Sequence, residues 1–161
     1  MSAIASATLI RKSDLARLAE LAKERKTSLF GKPKDTYAVF IAANGRRLED
    51  YASSGYILAT VLCYLDEERH STLMESEFQA LAELLTAERA ATHFLLTAAH
   101  KQWVPALDPA NFDEHVLKEY FNAFNDTDEP AVGRPMLDCI RFLRDTLSSL
   151  DADHVAILTI G

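Results

Sequence analysis

The chain has 161 residues, of which 48% are hydrophobic and 25% charged, and its formal net charge is −7. This composition predicts a single globular domain over residues 1–161 and excludes an intrinsically disordered chain. An acidic chain disfavours binding to DNA and anionic lipid because like charges repel, and no apolar run approaches the roughly 20 residues that span a bilayer.

The first elements in chain order are a short strand at 7–10 and a helix at 14–25. Ser13 is the expected N-cap of this helix, since a hydroxyl at that position accepts a hydrogen bond from the first free N–H groups. The apolar side of the helix is formed by residues that recur at helical spacing: Leu15, Leu18, Leu21 and Ala22.

A strand is predicted over 36–43 (TYAVFIAA), because this stretch is short, aromatic and β-branched. The Asn44-Gly45 pair that follows favours a type I′ hairpin turn. We therefore expect a second, polar strand at 46–50 that lies at the edge of the sheet, where charges discourage pairing with other chains.

Two helices are predicted next. The first is capped by Ser53 or Ser54 and runs to about Glu68, and the second is opened by a capping box, Thr72 to Glu75, and runs to Leu85. The segment 92–97 (THFLLT) is ambiguous, because its own composition favours a strand while the residues on either side favour helix. We interpret it as a strand.

The last third of the chain predicts two helices and a strand. Asp108-Pro109 is typical of a helix start, and Pro135 begins the final helix. The uncharged tail at 154–160 (HVAILTI) reads as a strand inside the sheet. On the first of these helices, four apolar side chains recur every four residues: Phe112, Val116, Tyr120 and Phe124. Leu117 and Phe121 lie beside them.

These elements predict an α+β domain: a small, mostly antiparallel sheet with strands near 36–43, 46–50, 92–97 and 154–160, packed with five or six helices. Cys63 and Cys139 lie in helical patterns without metal or redox spacing, which is typical of buried thiols in a reducing compartment. No charges precede the first apolar stretch as an export signal requires, so we expect a cytoplasmic protein.

No catalytic motif stands out. Weak candidates for a histidine and carboxylate site assembled from distant segments are His93, His100 and Glu67. The E-x-x-H sequence from Glu67 to His70 occurs once, whereas carboxylate-bridged metal bundles need two copies, so neither a metal nor a cofactor is expected.

Charge is distributed unevenly along the chain. Residues 1–47 carry ten Lys and Arg against four Asp and Glu, a balance of +6, whereas residues 48–161 carry seven against twenty, a balance of −13. The first part could bind phosphates, but the remainder would repel the same polyanion, so nucleic acid is not expected as a partner. A basic protein is favoured instead.

A docking surface for that partner is predicted where acidic residues crowd one helix and the linker after it. Its members are Asp113, Glu114, Glu119, Asp126, Asp128 and Glu129. Three aromatic residues near in sequence are candidate anchors, although burial in the core is the first expectation for the first two: Tyr120, Phe121 and Trp103.

The leading hypothesis is a non-enzymatic, acidic binding protein of a bacterial-type cytoplasm, in the manner of an immunity protein or inhibitor that docks on a basic partner such as a nuclease toxin. One alternative is a small enzyme that uses the histidine and carboxylate candidates. Another is a structural protein that self-associates through its opposed charge halves or its edge strand. The sequence leaves open a monomer or a homodimer.

Overall fold

A four-stranded antiparallel sheet lies at the centre of the computed structural model, which describes residues 4–24, 35–48 and 54–161. The strands are β1 (Ala5–Arg11), β2 (Arg46–Arg47), β3 (Thr92–Leu96) and β4 (His154–Ile160), in the order β2-β1-β4-β3. The described residues also form α1 (Leu15–Lys23), α2 (Thr36–Asn44), α3 (Gly55–Arg69), α4 (Gln79–Arg89), α5 (Glu114–Asn125) and α6 (Gly133–Ser148). Short 3-10 helices span Lys12–Asp14, Ala98–Trp103 and Pro109–Asn111. The predicted α+β class is confirmed.

The strand β4 is central, as its uncharged sequence predicts. It pairs with β1 from Ala5↔Ile160 to Arg11↔His154 and with β3 from Thr92↔Ile160 to Leu96↔Ala156. Its residues from Val155 to Leu158 are buried on both faces of the sheet. The predicted strand at 92–97 is likewise confirmed.

Alternate residues of the strands enter two separate cores, because successive side chains of a strand point to opposite faces. Ile10, Leu95 and Ile157 pack against α1, α2 and α4. Leu96 and Leu158 pack against α3, α5 and α6 on the other face. The sheet is thus the middle of three layers.

The strand predicted over 36–43 is wrong, because these residues form helix α2. A short apolar run fits a buried strand or a helix equally well, and periodicity alone does not separate them. Asp35 caps this helix by accepting a hydrogen bond from the Ala38 N–H. Tyr37, Phe40 and Ile41 recur at helical spacing and pack on the core beneath α1 and α4.

The predicted hairpin turn at Asn44-Gly45 is therefore also wrong. Gly45 ends α2 with φ −92°, and the Asn44 side chain donates to the Phe40 carbonyl within the same helix. Of the edge strand predicted at 46–50, the described residues show Arg46–Arg47 as a strand, which pairs with β1 at Thr8 and Leu9. Residues 49 and 50 lie outside the described ranges.

Helix ends differ in part from the predictions. Ser54 caps α3 as expected, by accepting from the Tyr56 N–H. The capping box predicted at Thr72 is wrong: α4 begins only at Gln79, because the intervening segment is tied down elsewhere, with the Glu75 carbonyl bonded to the His100 ring. Ser13 does not cap the first helix through its side chain, and Asp108 caps a short 3-10 helix rather than α5.

The two cysteines are free thiols, Cys139 buried and Cys63 half-buried. Within the described ranges, no helix combines the length and the apolar character that crossing a bilayer requires.

Candidate functional site

The helices α3 and α5 lie side by side and run antiparallel on the outer layer of the molecule. Near one end, the Asn125 amide donates to Thr60 Oγ1 over 3.1 Å, and near the other, the Tyr120 hydroxyl donates to Glu67 Oε2 over 2.7 Å. These contacts fix the register of the two helices.

Helix α5 is apolar on two stripes. Leu117 and Phe121 are buried against the core, as residues four apart on one side of a helix should be. The adjacent stripe faces outward: Val116 is 51% and Phe124 50% exposed, and Tyr120 between them is half-buried. We call Val116, Tyr120 and Phe124 the aromatic ridge.

Ring contacts hold the two aromatic residues of the ridge, Tyr120 and Phe124, in place. The Tyr120 ring stands edge-on to Tyr64, with centroids 4.9 Å apart at 77°, and stacks on Phe124, with centroids 5.8 Å apart at 18°. Burial and the hydrogen bond to Glu67 raise the pKa of Tyr120, so its hydroxyl remains a donor through the physiological range. A ridge ordered in this way loses little side-chain entropy when a partner covers it.

A cleft of about 530 Å³ opens where α3 begins and α5 ends. Ile57, Phe121 and Val132 contribute apolar walls, and Tyr56, which is 53% exposed, stands at the rim. Its volume lies within the roughly 300–1,000 Å³ of ligand-binding clefts. We call the ridge, Tyr56 and this cleft together the α3–α5 face.

The six predicted docking acids divide into two groups. Three of them already have structural partners: Asp113 caps α5 by accepting from the His115 and Val116 N–H groups, Glu114 pairs with Arg134, and Glu119 pairs with Lys118.

The other three lie at the end of α5 and in the loop after it. Asp126 ends the helix in the left-handed region at φ 51°, and Asp128 and Glu129 follow it on the surface. None of the three forms an ion pair with any residue in the described ranges. Glu129 also lines the cleft, which gives one side of the α3–α5 face uncompensated negative charge.

Asn122 holds this acidic loop in a fixed shape. Its side-chain oxygen accepts from the Glu129 N–H over 2.8 Å and from the Thr127 hydroxyl over 3.1 Å. The carboxylates beside the cleft are therefore carried on an ordered turn.

The histidine and carboxylate candidates lie in separate contacts. His100 is buried with both ring nitrogens bonded: Nδ1 accepts from the Thr97 N–H over 2.8 Å, and Nε2 donates to the Glu75 carbonyl over 2.7 Å. This ring joins the 3-10 helix Ala98–Trp103 to the segment that precedes α4. Glu67 is bonded to Tyr120.

His93 lies on β3 beneath α4, where Thr86 Oγ1 accepts from its main-chain N–H. The ring is buried, and Nδ1 has no hydrogen-bond partner. Burial lowers the pKa of His93, and a hydrogen bond to the Ala91 main chain opposes this in part. The structure therefore does not bring His93, His100 and Glu67 together, and in the described part of the chain no three His, Cys, Asp or Glu side chains converge as a metal ion would need.

Comparison of the chain with protein-family models, with curated proteins and with solved structures gives no match.

Of the aromatic anchors considered from the sequence, Tyr120 lies in the aromatic ridge, and Phe121 reaches the α3–α5 face where it lines the cleft. Phe121 is part of the core, and Trp103 packs half-buried against the same core. Sequence reasoning missed Phe124 and Tyr56 as surface residues. Phe124 falls in the last turn of α5, where helix ends are less covered, and no pattern in the sequence marks Tyr56 on α3 as exposed.

The α3–α5 face combines exposed apolar groups with carboxylates at its border. Aromatic and aliphatic groups supply area to bury, and the carboxylates at the border supply charge that attracts a cationic surface.

Proposed function

We propose that the protein is a non-enzymatic binding protein whose α3–α5 face docks on a basic protein partner. The observation that carries the proposal is the aromatic ridge, which leaves Val116 and Phe124 about half exposed beside three unpaired carboxylates. Five large hydrophobic side chains of the described residues are exposed, and three of them lie on this face: Tyr56, Val116 and Phe124. Clustered exposed apolar groups with a polar border are typical of interaction sites.

The acidic groups orient the approaching partner and raise the rate of association. The acidic loop borders one end of the ridge, and the segment 48–161 has a balance of −13. Complementary potential speeds the encounter of two proteins, and buried aromatic anchors then determine how slowly the complex dissociates. An immunity-type or inhibitor-type role, in which the acidic face covers the cationic site of an enzyme that acts on phosphates, is the specific form that this surface supports.

Affinity capture from extracts of the source cell, with purified protein as bait, tests the proposal. The face variant is V116S/F124S, which removes the exposed ends of the ridge. The matched control is V39S on α2, because Val39 is also an exposed aliphatic residue, at 42% exposure, and lies on the opposite helical layer. Circular dichroism confirms that all three baits are folded.

We expect a basic protein to be retained by the wild type and by V39S and to be released by added salt. The V116S/F124S bait should retain at least about tenfold less, as the loss of two interface anchors predicts. Equal capture by all three baits, or no basic protein on the wild type, would refute the proposed function.

A further inference from the structure

We propose that the element recognised by the α3–α5 face is a basic amphipathic α-helix of the partner, and that one of its bulky apolar side chains enters the cleft. This inference rests on the proposed function and specifies the partner further. It follows from the length of the ridge, the state of the main chain beneath it, and the position of the cleft and the unpaired acids.

The length of the ridge matches two turns of a helix. Val116 and Phe124 are eight residues apart, which at a rise of about 1.5 Å per residue gives about 12 Å. Apolar side chains at i, i+4 and i+7 of a partner helix span about 10 Å, so three such anchors fit along the ridge.

The main chain beneath the face favours a helix over an extended strand as the partner's docking element. Both α3 and α5 satisfy their own backbone groups within the helices, and the polar side chains between them already bond to one another, Asn125 to Thr60 and Tyr120 to Glu67. An extended peptide laid here would bury N–H and C=O groups that find no acceptor or donor. A helix satisfies these groups internally and buries only its side chains.

The cleft provides an anchor site at the end of the ridge. It lies between Tyr56 on α3 and Val132 ahead of α6, and Phe121 lines it. A cleft of about 530 Å³ holds a leucine or phenylalanine side chain with room to spare.

The charges at its mouth select what accompanies the anchor. Glu129 lines the cleft and Asp128 precedes it, while the nearby Arg134 is already paired with Glu114 and Asp138. Lysine or arginine on the turns that flank the anchor would meet uncompensated carboxylates, which is why the partner helix should be basic.

The test uses two synthetic probes of about 18 residues, or five helical turns. Both contain only leucine and lysine in the same proportion. In the first, leucine recurs at helical spacing, and in the second, leucine and lysine follow the alternation of a strand. Fluorescence anisotropy of labelled peptide at about 0.15 M salt gives the affinity of each, and circular dichroism reports the helicity of the bound probe.

The protein variants are A131W, which fills the cleft from an exposed position on its lining, and F124S, which shortens the ridge. V39S is again the control. We expect the helical probe to bind the wild type at least about tenfold more tightly than the alternating probe and to gain helicity. A131W and F124S should each weaken it about tenfold, and V39S should leave it unchanged.

Equal binding of the two probes, or binding insensitive to A131W and F124S, would overturn the inference. If a basic protein is nevertheless captured in a ridge-dependent way, the proposed function stands and only the helical partner fails. If neither occurs, both fail. Self-association of the wild type that F124S abolishes would assign the face to a second copy of the chain and would also overturn it.

Discussion

The substitution G133A has two opposite effects on stability: it raises helix propensity, and it introduces a steric clash. Gly133 is the buried first residue of α6, and alanine is preferred over glycine in helices by about 1 kcal/mol. A Cβ at this position would lie 2.1 Å from the carbonyl oxygen of Glu114 and 3.0 Å from its carbonyl carbon. Propensity alone therefore predicts stabilisation, and the geometry predicts the reverse.

The clash involves the main chain of α5, so no side-chain rotation relieves it. The Cβ would be more than roughly 1 Å closer than ordinary contact allows. Overpacking of this kind costs about 1–3 kcal/mol, and a clash with a main-chain oxygen at 2.1 Å belongs at the upper end of that range. After the gain of about 1 kcal/mol in propensity, the net loss is about 2 kcal/mol, which corresponds to a Tm lower by about 4–8 °C for a chain of this length.

Thermal and urea unfolding followed by circular dichroism measure the loss. The control is A123G, at an exposed position within α5, which reports the propensity term without a clash and should cost about 1 kcal/mol. If G133A is more stable than the wild type by about the amount that A123G loses, the close approach of α5 and α6 is wrong. Since α5 carries the aromatic ridge, G133A should also weaken partner binding.

Three further predictions concern the stripes, the buried histidine and the acids. L117A should cost about 2–5 kcal/mol of unfolding free energy, because Leu117 is fully buried, whereas V116A should stay within about 0.5 kcal/mol; equal costs in urea unfolding would reverse the orientation of α5. Because burial lowers the pKa of His93, the unfolded chain binds a proton that the folded chain does not, so stability falls as the pH drops below about 6.5, by at most about 1.4 kcal/mol per pH unit from this ring. H93F should remove this part of the acid sensitivity between pH 7.5 and 5.5, and parallel stability profiles of the two proteins would contradict it. D113A should cost about 0.5–2 kcal/mol through the lost cap, while D128A should leave the Tm unchanged and slow association with the basic partner; a Tm loss in D128A would show that this carboxylate is structural.

The sequence predicts best those elements whose burial is uniform. The strand at 154–160 is uncharged, and its residues from Val155 to Leu158 are apolar because they lie between two strands and beneath helices on both faces of the sheet. The segment 36–43 has the same composition for a different reason. It is a helix whose outward residues, such as Val39 and Ala42, happen to be apolar or small, so its sequence lacks the polar side that would identify it.

The acidic cluster shows that clustered acids in a sequence predict an acidic surface but do not show which carboxylates have structural partners. Asp113 and Glu114 lie at the start of α5. Asp113 is used by a local cap to His115 and Val116, and Glu114 by an ion pair to Arg134 on α6, which is distant in sequence. Asp126 and Asp128 follow the helix end, where carboxylates gain nothing from the helix dipole. Contacts within α5 account for Asp113 and Glu119, and the packing of α5 on α6 accounts for Glu114.

The same packing explains why the proposed site lies on α5. Leu117 and Phe121 already provide the contact of α5 with the core. Val116 and Phe124 remain about half exposed, so they contribute little to the stability of the fold. Their burial free energy is released only when another surface covers them. Under the proposed function, the surface that covers Val116 and Phe124 must also accept the unpaired carboxylates that follow α5, so it must combine apolar with cationic groups.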